Sequence, residues 1–289
     1  MRLRLKSSKA DVYVPDDSSP GKALARTTHL CVGAHQDDIE IMAQHGISEC
    51  FMRPGRWFTG VVVTDGAGSP RTGPTAGCSG ARMGELRARE QRKAALIGGY
   101  SAMVQLGYPS SAAKDPAGRG VEDDLLAVLE AAAPRVLYLH NPADKHDTHV
   151  AVLLKCLLAL SRLPRARRPR RVLGCEVWRG LDWMLDGDKR ALPVSDKPNL
   201  AAALLGVFDS QISGGKRYDL ATLGRRAANA TYFGSHETDK ETALTYAMDL
   251  TPLVHQHRGG IVHALRELVA GHVERFKQDS LARIARSAA

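Results

Sequence analysis

The sequence lacks the paired cysteines of a disulfide scaffold or a zinc ribbon. Its five cysteines are scattered, odd in number and without a CxxC pair. It also lacks a secretory apolar run near its start, and the longest apolar run, at 150–160, contains Lys155 and is too short for a bilayer. We therefore expect reduced thiols, a cytoplasmic location and no membrane partner.

Three common catalytic signatures are missing as well. His236-Glu237 is not followed by the second histidine of HExxH, and GCSGA at 77–81 ends in alanine, so it is not GxSxG. SGGKR at 213–217 lacks the first glycine and the final Ser/Thr of a phosphate-binding loop. These absences argue against a zincin protease, an α/β-hydrolase serine enzyme and a P-loop nucleotidase.

The charge is positive, with a formal net value of +9 over 289 residues. Part of it lies in PRARRPRR at 164–171, where no aromatic residue interleaves the arginines to stack on bases. We interpret this run as a solvated loop between a helix and a strand, and keep a nucleic-acid patch as the alternative. A basic surface would also suit an anionic small substrate.

Buried-strand and amphipathic-helix patterns alternate along most of the chain. Strands are predicted at 28–34, 58–65, 102–108, 135–140 and 171–178. Helices are predicted at 39–52, 81–99, 120–133 and 148–162, then at 198–213, 218–233 and 258–286. The alternation predicts an α/β fold, a Rossmann-like and mostly parallel sheet flanked by helices, with a more helical C-terminal part from about 195. We expect an N-terminal arm at 1–26 with one β-like piece, DVYV at 11–14, and a single domain at 27–289.

Polar side chains gather where two of these strands end. VGAHQDDIEI at 32–41 places His35, Asp37 and Asp38 directly after the first strand. HNPADKHDTHVA, which begins at His140, follows the fourth strand and holds three histidines and two aspartates. Carboxyl ends of parallel strands share one edge of a sheet, so the two clusters can converge. A divalent cation would neutralise the paired aspartates, and His and carboxylate ligands suit zinc. The alternative is a helix cap and hydrogen-bonded histidines without metal.

At this point the sequence resembles the LmbE-like, or PIG-L, N-acetylglucosaminyl deacetylases. AHQDD is similar to the family's AHPDD, and HDTH at 146–149 to its HPDH. GARMGELRARE and FDSQIS, at 208–213, are weaker similarities, and the resemblance covers roughly 27–213. It implies an LmbE-like α/β deacetylase domain with a catalytic Zn²⁺, or another divalent cation.

The resemblance also implies roles for individual residues. His35, Asp38 and His149 match the metal ligands of the family. Asp37 matches its general base. His146 matches the histidine that steadies the oxyanion or protonates the leaving group.

Other matches and departures concern the surroundings of these residues. Arg82 matches an arginine that holds the substrate. Gln36 stands where the family has proline, and Thr148 stands where it has the aspartate that orients the catalytic histidine. Asp144 or Asp147 could supply that missing carboxylate.

The expected function is removal of an N-acetyl group from an N-acetylglucosamine-type sugar or sugar conjugate, with release of acetate. One alternative is a metal-dependent amidase acting on a non-sugar N-acyl group, and another is a basic nucleic-acid-binding protein. The expected partner is a small N-acetylated sugar or glycoconjugate, without nucleic acid. Homo-oligomer formation stays open.

Overall fold

Eight strands form one mixed sheet in the computed structural model, which describes residues 3–234, 236–255 and 260–288. The strands are β1 (Asp11–Tyr13), β2 (His29–Gly33), β3 (Phe58–Thr64), β4 (Ala102–Tyr108), β5 (Val136–His140), β6 (Arg171–Cys175), β7 (Arg190–Pro193) and β8 (Leu244–Asp249). Their order across the sheet is β1-β4-β3-β2-β5-β6-β8-β7. β2 to β6 are mutually parallel, whereas β1, β8 and β7 pair antiparallel with β4, β6 and β8.

Helices cover both faces of this sheet. They are α1 (Pro20–Ala25), α2 (Asp38–Met42), α3 (Gln44–Cys50), α4 (Gly80–Ile97), α5 (Ser110–Lys114), α6 (Gly120–Ala132), α7 (Asp147–Arg162), α8 (Pro198–Gly206), α9 (Asp209–Ile212), α10 (Tyr218–Tyr232), α11 (Thr251–His255) and α12 (Ile261–Ala288). The predicted α/β class, with a mostly parallel sheet and a helical C-terminal part, is confirmed.

Two apolar clusters form the core, one on each face of the sheet. Successive residues of β2 divide between them, with Leu30 and Val32 in one cluster and Cys31 in the other. This division follows from the alternation of side chains along a strand. A sheet buried on both faces explains why its central strands are apolar without interruption.

The strand order places a topological switch point at the centre of the sheet. The chain moves outward from β2 through β3 to β4, and then returns to place β5 on the other side of β2. The loops after β2 and β5 therefore leave the sheet side by side, in the crevice where open α/β sheets bind ligands. This is the physical reason why the two polar clusters of the sequence meet.

All five predicted strands are present. The predicted helix at 198–213 is divided into α8 and α9, and other segments also differ from the expectation. The predicted helix at 39–52 is divided into α2 and α3 at Ala43, whose backbone departs from helical geometry. Two strands, β7 and β8, were not predicted. The predicted helix at 258–286 is present as α12, and its first two positions lie outside the described residues.

The N-terminal segment is joined to the sheet through β1, which extends the β4 edge. Backbone N–H groups of Lys6 and Ser7 also donate to the carboxylate of Asp124 on α6. Residues 1, 2 and 289 lie outside the described part, and the division into an arm and one domain stays a prediction.

Two further features bear on the expected partners. Arg165–Arg167 form a 3₁₀ turn within the arginine-rich run, between α7 and β6. None of the helices in the described residues has the length and apolarity needed to cross a membrane.

Candidate metal and active site

The turn after β2 presents two carboxylates in different directions. Asp37 precedes α2 with a φ of 85°, a left-handed conformation that costs free energy in a non-glycine residue. Asp38 begins α2, and its Oδ2 accepts a hydrogen bond from the backbone N–H of His35 at 2.7 Å. The two adjacent aspartates thus meet different partners, Asp38 the N–H of His35 and Asp37 the guanidinium of Arg87.

The turn after β5 leads into α7 and supplies three histidines. His140 ends β5, His146 precedes α7, and His149 lies in its first turn. His140 and His149 are buried, whereas His146 is exposed. The three rings lie close together, with 4.0 Å between the His140 and His149 centroids and 4.7 Å between those of His146 and His149.

Three donor atoms from the two turns face one another. Nδ1 of His35 lies 3.2 Å from Nε2 of His149 and 3.4 Å from Oδ2 of Asp38. Nε2 of His149 lies 3.4 Å from the same carboxylate oxygen. Ligands of a tetrahedral zinc at its usual bond lengths lie roughly 3.3 Å apart, so this triangle has the right size for a metal ion.

The described residues contain two overlapping groups that could hold a metal ion, and both include His149. One adds His35 and His146, and the other adds Asp38 and His140. His140 is the poorest ligand among them, because its Nε2 already accepts the backbone N–H of Ala34 at 2.8 Å. Burial, and then neighbouring His149, lowers the pKa of His140 to about 4, so that its imidazole stays neutral.

The charge state of the remaining groups suits a cation. Burial opposes ionisation of Asp38, yet the surrounding His149, His140 and His35 hold its pKa well below the usual range. Asp38 is therefore a carboxylate at neutral pH. An ionised carboxylate beside two imidazoles is a set of ligands that zinc accepts.

Asp144 supports His149 from the side opposite Asp38. Its Oδ2 lies 3.1 Å from Nδ1 of His149, and its Oδ1 accepts the backbone N–H of His146. A carboxylate on the far nitrogen of a ligating imidazole fixes its orientation and raises its basicity. Asp144 thus lies against His149 and not against the ring of His146.

The ring of His146 is oriented by the backbone instead. Its Nδ1 accepts the N–H of Thr148 at 3.3 Å, so that Nε2 carries the proton of the neutral ring. Asp147, the first residue of α7, is exposed. No carboxylate of the described residues orients His146 as an aspartate at position 148 would.

Asp37 is held away from the three donor atoms by Arg87 on α4. Nη2 of Arg87 lies 2.8 Å from Oδ2 of Asp37 and also donates to the carbonyl of Gln36. The backbone N–H of Asp37 donates to Gln91 at 3.2 Å. Burial raises the pKa of Asp37 above its usual value, although Arg87 opposes that shift. A carboxyl with a raised pKa is a better proton acceptor than an ordinary aspartate.

Arg87 was missed from the sequence. Arg82, the expected substrate-binding residue, is exposed and pairs with Glu85 at 3.0 Å. It lines a separate cavity between α4 and the segment around α9, together with Arg89 and Lys93. The sequence signal that could have found Arg87 is its position within the same GARMGELRARE segment.

An open cavity of about 490 Å³ leads to the proposed ligands. His35, Asp37, Asp38, His146 and His149 all line it. Its other lining residues include Arg87, Trp178, Gln211, Lys216, Tyr218 and Arg225.

The FDSQIS segment reaches this cavity through α9. Ser210 donates to the carboxylate of Glu90 at 2.7 Å. Gln211 donates to the carbonyl of Pro70 in the glycine-rich loop at 66–79, between β3 and α4. Ser69 and Pro70 of that loop line the cavity. The weak sequence similarity at 208–213 therefore lies in the wall of the site.

Residues 30–157 match the PIG-L family, described as GlcNAc-PI de-N-acetylase. The matched segment contains both polar turns. This match confirms the resemblance to the PIG-L family that was seen in the sequence. Deacetylation of an amide is a hydrolysis, so the family is one of hydrolases. No curated protein matches the sequence.

Solved structures share the fold at low sequence identity. N,N'-diacetylchitobiose deacetylase from Pyrococcus horikoshii is 17% identical, with 85% of this chain and 91% of that chain covered and a TM-score of 0.61. The zinc-inhibited form of teicoplanin deacetylase is 16% identical, with 77% and 97% covered and a TM-score of 0.55. 4-Carboxy-2-hydroxymuconate hydratase from Pseudomonas putida KT2440 is 15% identical, with 78% and 95% covered and a TM-score of 0.56. Since the fold carries deacetylases and a hydratase, it does not decide the reaction.

Proposed function

We propose that this chain, with its match to the PIG-L family, is a zinc-dependent N-deacetylase that removes an acetyl group from an N-acetylated amino sugar or sugar conjugate. The observation that carries the proposal is the triangle of His35, Asp38 and His149, with Asp37 beside it on the same turn. The three donor atoms of the triangle would hold a metal, and the carboxylate of Asp37 would be available for proton transfer.

The metal would be held by Nδ1 of His35, Oδ2 of Asp38 and Nε2 of His149. When bound, zinc lowers the pKa of water from 15.7 toward about 7 and polarises the carbonyl oxygen of an amide. Three protein ligands leave one position open, as in other catalytic zinc sites.

Asp37 would act as the general base. It faces the cavity beside Asp38, and its contact with Arg87 fixes the carboxylate in one orientation. In the proposed reaction it accepts a proton from the attacking water and later returns a proton toward the departing nitrogen. Water adds to the amide carbon, the C–N bond breaks, and the products are acetate and a free amine.

His146 would assist from the other side of the cavity. Its Nδ1 is engaged by the Thr148 N–H, which leaves the Nε2–H to donate toward the developing oxyanion or the leaving nitrogen. Its exposure allows the ring to meet a substrate without displacing core residues.

The cavity walls favour a sugar over a long acyl chain. Trp178 and Tyr218 meet edge to face, with 5.6 Å between ring centroids, and both line the cavity. Aromatic surface offers an apolar face to a sugar ring, while Gln211 and Lys216 on the same walls offer polar groups to its hydroxyls. The rival amidase would need an apolar tunnel.

The test is an acetate-release assay over N-acetylated sugars and sugar conjugates, with non-sugar N-acetyl amines as the matched rival panel. We expect release from the sugar panel in the presence of Zn²⁺ and loss of release after chelation. Release confined to the non-sugar panel would favour the amidase. Absence of release from both panels, in a protein that binds one equivalent of Zn²⁺, would overturn N-deacetylation.

A further inference from the structure

An arginine on α10 is buried without a counter-ion in the part of the chain that the structure describes. Arg226 is 4% exposed, and its Nη2 donates to the carbonyls of Glu40 at 2.7 Å and Ile41 at 3.0 Å. Its Nε and Nη1 have no hydrogen-bond partner among the described residues. Burial alone lowers the pKa of Arg226 to about 10, so the guanidinium is still charged at neutral pH. A buried cation is costly unless an anion or several hydrogen bonds compensate it.

Arg226 lines a small cavity that contains a second unpaired donor. The cavity has a volume of about 30 Å³, and the hydroxyl of Thr245, which also lines it, has no partner in the described part of the chain. Arg179 and Arg225 line it as well. A water needs roughly 10–15 Å³ of such volume, so the space suits about two waters or one ion of that size.

The cavity holds one carboxylate, from Glu176, and it is already engaged. One oxygen accepts the backbone N–H of Leu181 at 2.6 Å, and the other accepts Nε1–H of Trp183 at 3.2 Å. Burial raises the pKa of Glu176, which weakens it further as a counter-ion. Arg225 is engaged too, since its guanidinium donates to the carbonyls of Val177 and Trp178.

We propose that this cavity binds a small monovalent anion, a halide or a carboxylate of one or two carbons, between Arg226 and Thr245. The uncompensated guanidinium supplies the charge, and the Thr245 hydroxyl supplies a further donor. A space of about 30 Å³ suits an ion of a few heavy atoms and is too small for a sugar phosphate.

The position of the cavity gives the anion a structural effect. Ile41, Val177, Thr222 and Arg225 form a wall shared with the larger cavity at the proposed metal site. Arg226 donates to the carbonyls of Glu40 and Ile41 in the last turn of α2, which begins at Asp38. Anion binding should therefore stabilise the helix that carries Asp38.

The first experiment measures thermal unfolding of the full chain in bromide, formate or acetate, with gluconate replacing each anion at constant ionic strength. A ligand that binds only the folded state raises Tm with its concentration. We expect a saturable rise with each small anion and none with gluconate. An equal response in all four salts would overturn the proposal.

Two variants and a control separate the site from a general salt effect. Arg226→Met should abolish the response. Thr245→Val, which keeps the shape of the side chain, should weaken apparent anion affinity about tenfold and remains decisive if Arg226→Met does not fold. Arg190→Met removes an exposed arginine that pairs with Asp249, and it should leave the response unchanged. An undiminished response in Thr245→Val and Arg226→Met would contradict the assignment.

The second experiment locates the ion directly. Crystals soaked in sodium bromide should give an anomalous peak in the cavity, within hydrogen-bonding distance of Arg226 and Thr245. Its absence at a bromide concentration that saturates the Tm response would place the anion elsewhere and overturn the proposal.

Discussion

Nη2 of Arg87 lies 2.8 Å from Oδ2 of Asp37, and both side chains are buried. The same guanidinium lies 3.4 Å from Glu90, which in turn accepts hydrogen bonds from Ser210. Arg87 therefore links the turn after β2 to α9 across α4. The orientation of the proposed base depends on a chain of contacts that reaches into the C-terminal half.

Replacing Arg87 should be costly for stability. Arg87→Met leaves Asp37 and Glu90 buried without their cation, and breaking a buried pair in this way costs ~3–5 kcal/mol. Urea unfolding measures the effect. Arg82→Met is the matched control, because its exposed pair with Glu85 should contribute no more than ~0.5 kcal/mol. A fall in kcat/KM for Arg82→Met at unchanged stability would instead support the substrate-binding role expected from the sequence.

Variants of the two adjacent aspartates should affect different properties, metal binding in one case and turnover in the other. Asp37→Asn should keep the metal, since Arg87 directs its side chain away from the three donor atoms, and should lose ~10²–10⁴ in kcat as a general base does. Asp38→Asn should lose most of the metal. Metal analysis beside steady-state kinetics checks both variants. If Asp37→Asn lost the metal and Asp38→Asn kept it, the two roles would be exchanged.

Asp144 and Asp147 offer a matched comparison within one turn. Asp144→Asn removes the carboxylate beside His149 and should weaken metal affinity by ~10–100-fold, the usual effect of losing such a partner. Asp147→Asn should leave affinity unchanged, because Asp147 is exposed and none of its described contacts reaches the proposed ligands. Competition with a chelator measures both affinities. Equal losses in the two variants would refute a specific role for Asp144.

A histidine distant from the site should make stability depend on pH. Burial lowers the pKa of His29 from 6.5 to about 4, and its Nδ1 lies 3.2 Å from Sγ of Cys50. Between these two pH values the unfolded chain binds a proton that the folded chain does not. The contribution of His29 is thus complete above about pH 6.5 and is lost as the pH falls toward 4, by roughly 3 kcal/mol in total.

Urea unfolding at pH 7 and pH 4.5 tests this dependence. The loss of stability between the two conditions should be smaller in His29→Gln than in the original chain. His255→Gln is the control, since His255 is half-buried and far from His29 in the sequence, and its Nε2 donates to the carbonyl of Pro169 at 2.9 Å. An unchanged loss in His29→Gln would assign the acid sensitivity to other groups.

The convergence of the two polar turns could be predicted from the alternation of strands and helices, whereas the choice of His35, Asp38 and His149 within them came from the family resemblance. Once β2 and β5 are neighbours, their following turns must meet. The choice between Arg82 and Arg87 could not be made as easily. Five residues turn a helix by about 140°, so the two arginines point to different sides of α4, and only packing decides which side faces Asp37.

Two strands escaped prediction for a related reason. β7 is four residues long and ends in Pro193, which is typical of an edge position and a weak strand signal. β8 is buried at five of its six positions, so it lacks the alternation that marks a half-exposed strand. The Arg226 site could not be predicted from the sequence either, because it depends on which side chains the fold places around the guanidinium.

The antiparallel pairing of β8 with β6 has a consequence for synthesis of the chain. β6 is complete at Cys175, and its partner begins at Leu244. At ~5–20 residues per second the ribosome needs roughly 3–14 s to make the intervening segment, and until then β6 is an open edge with free backbone groups. Such edges attract strands of other molecules. The parallel half of the sheet, which carries both polar turns, must therefore be kept from pairing with other molecules along β6 while the rest of the polypeptide is still being made.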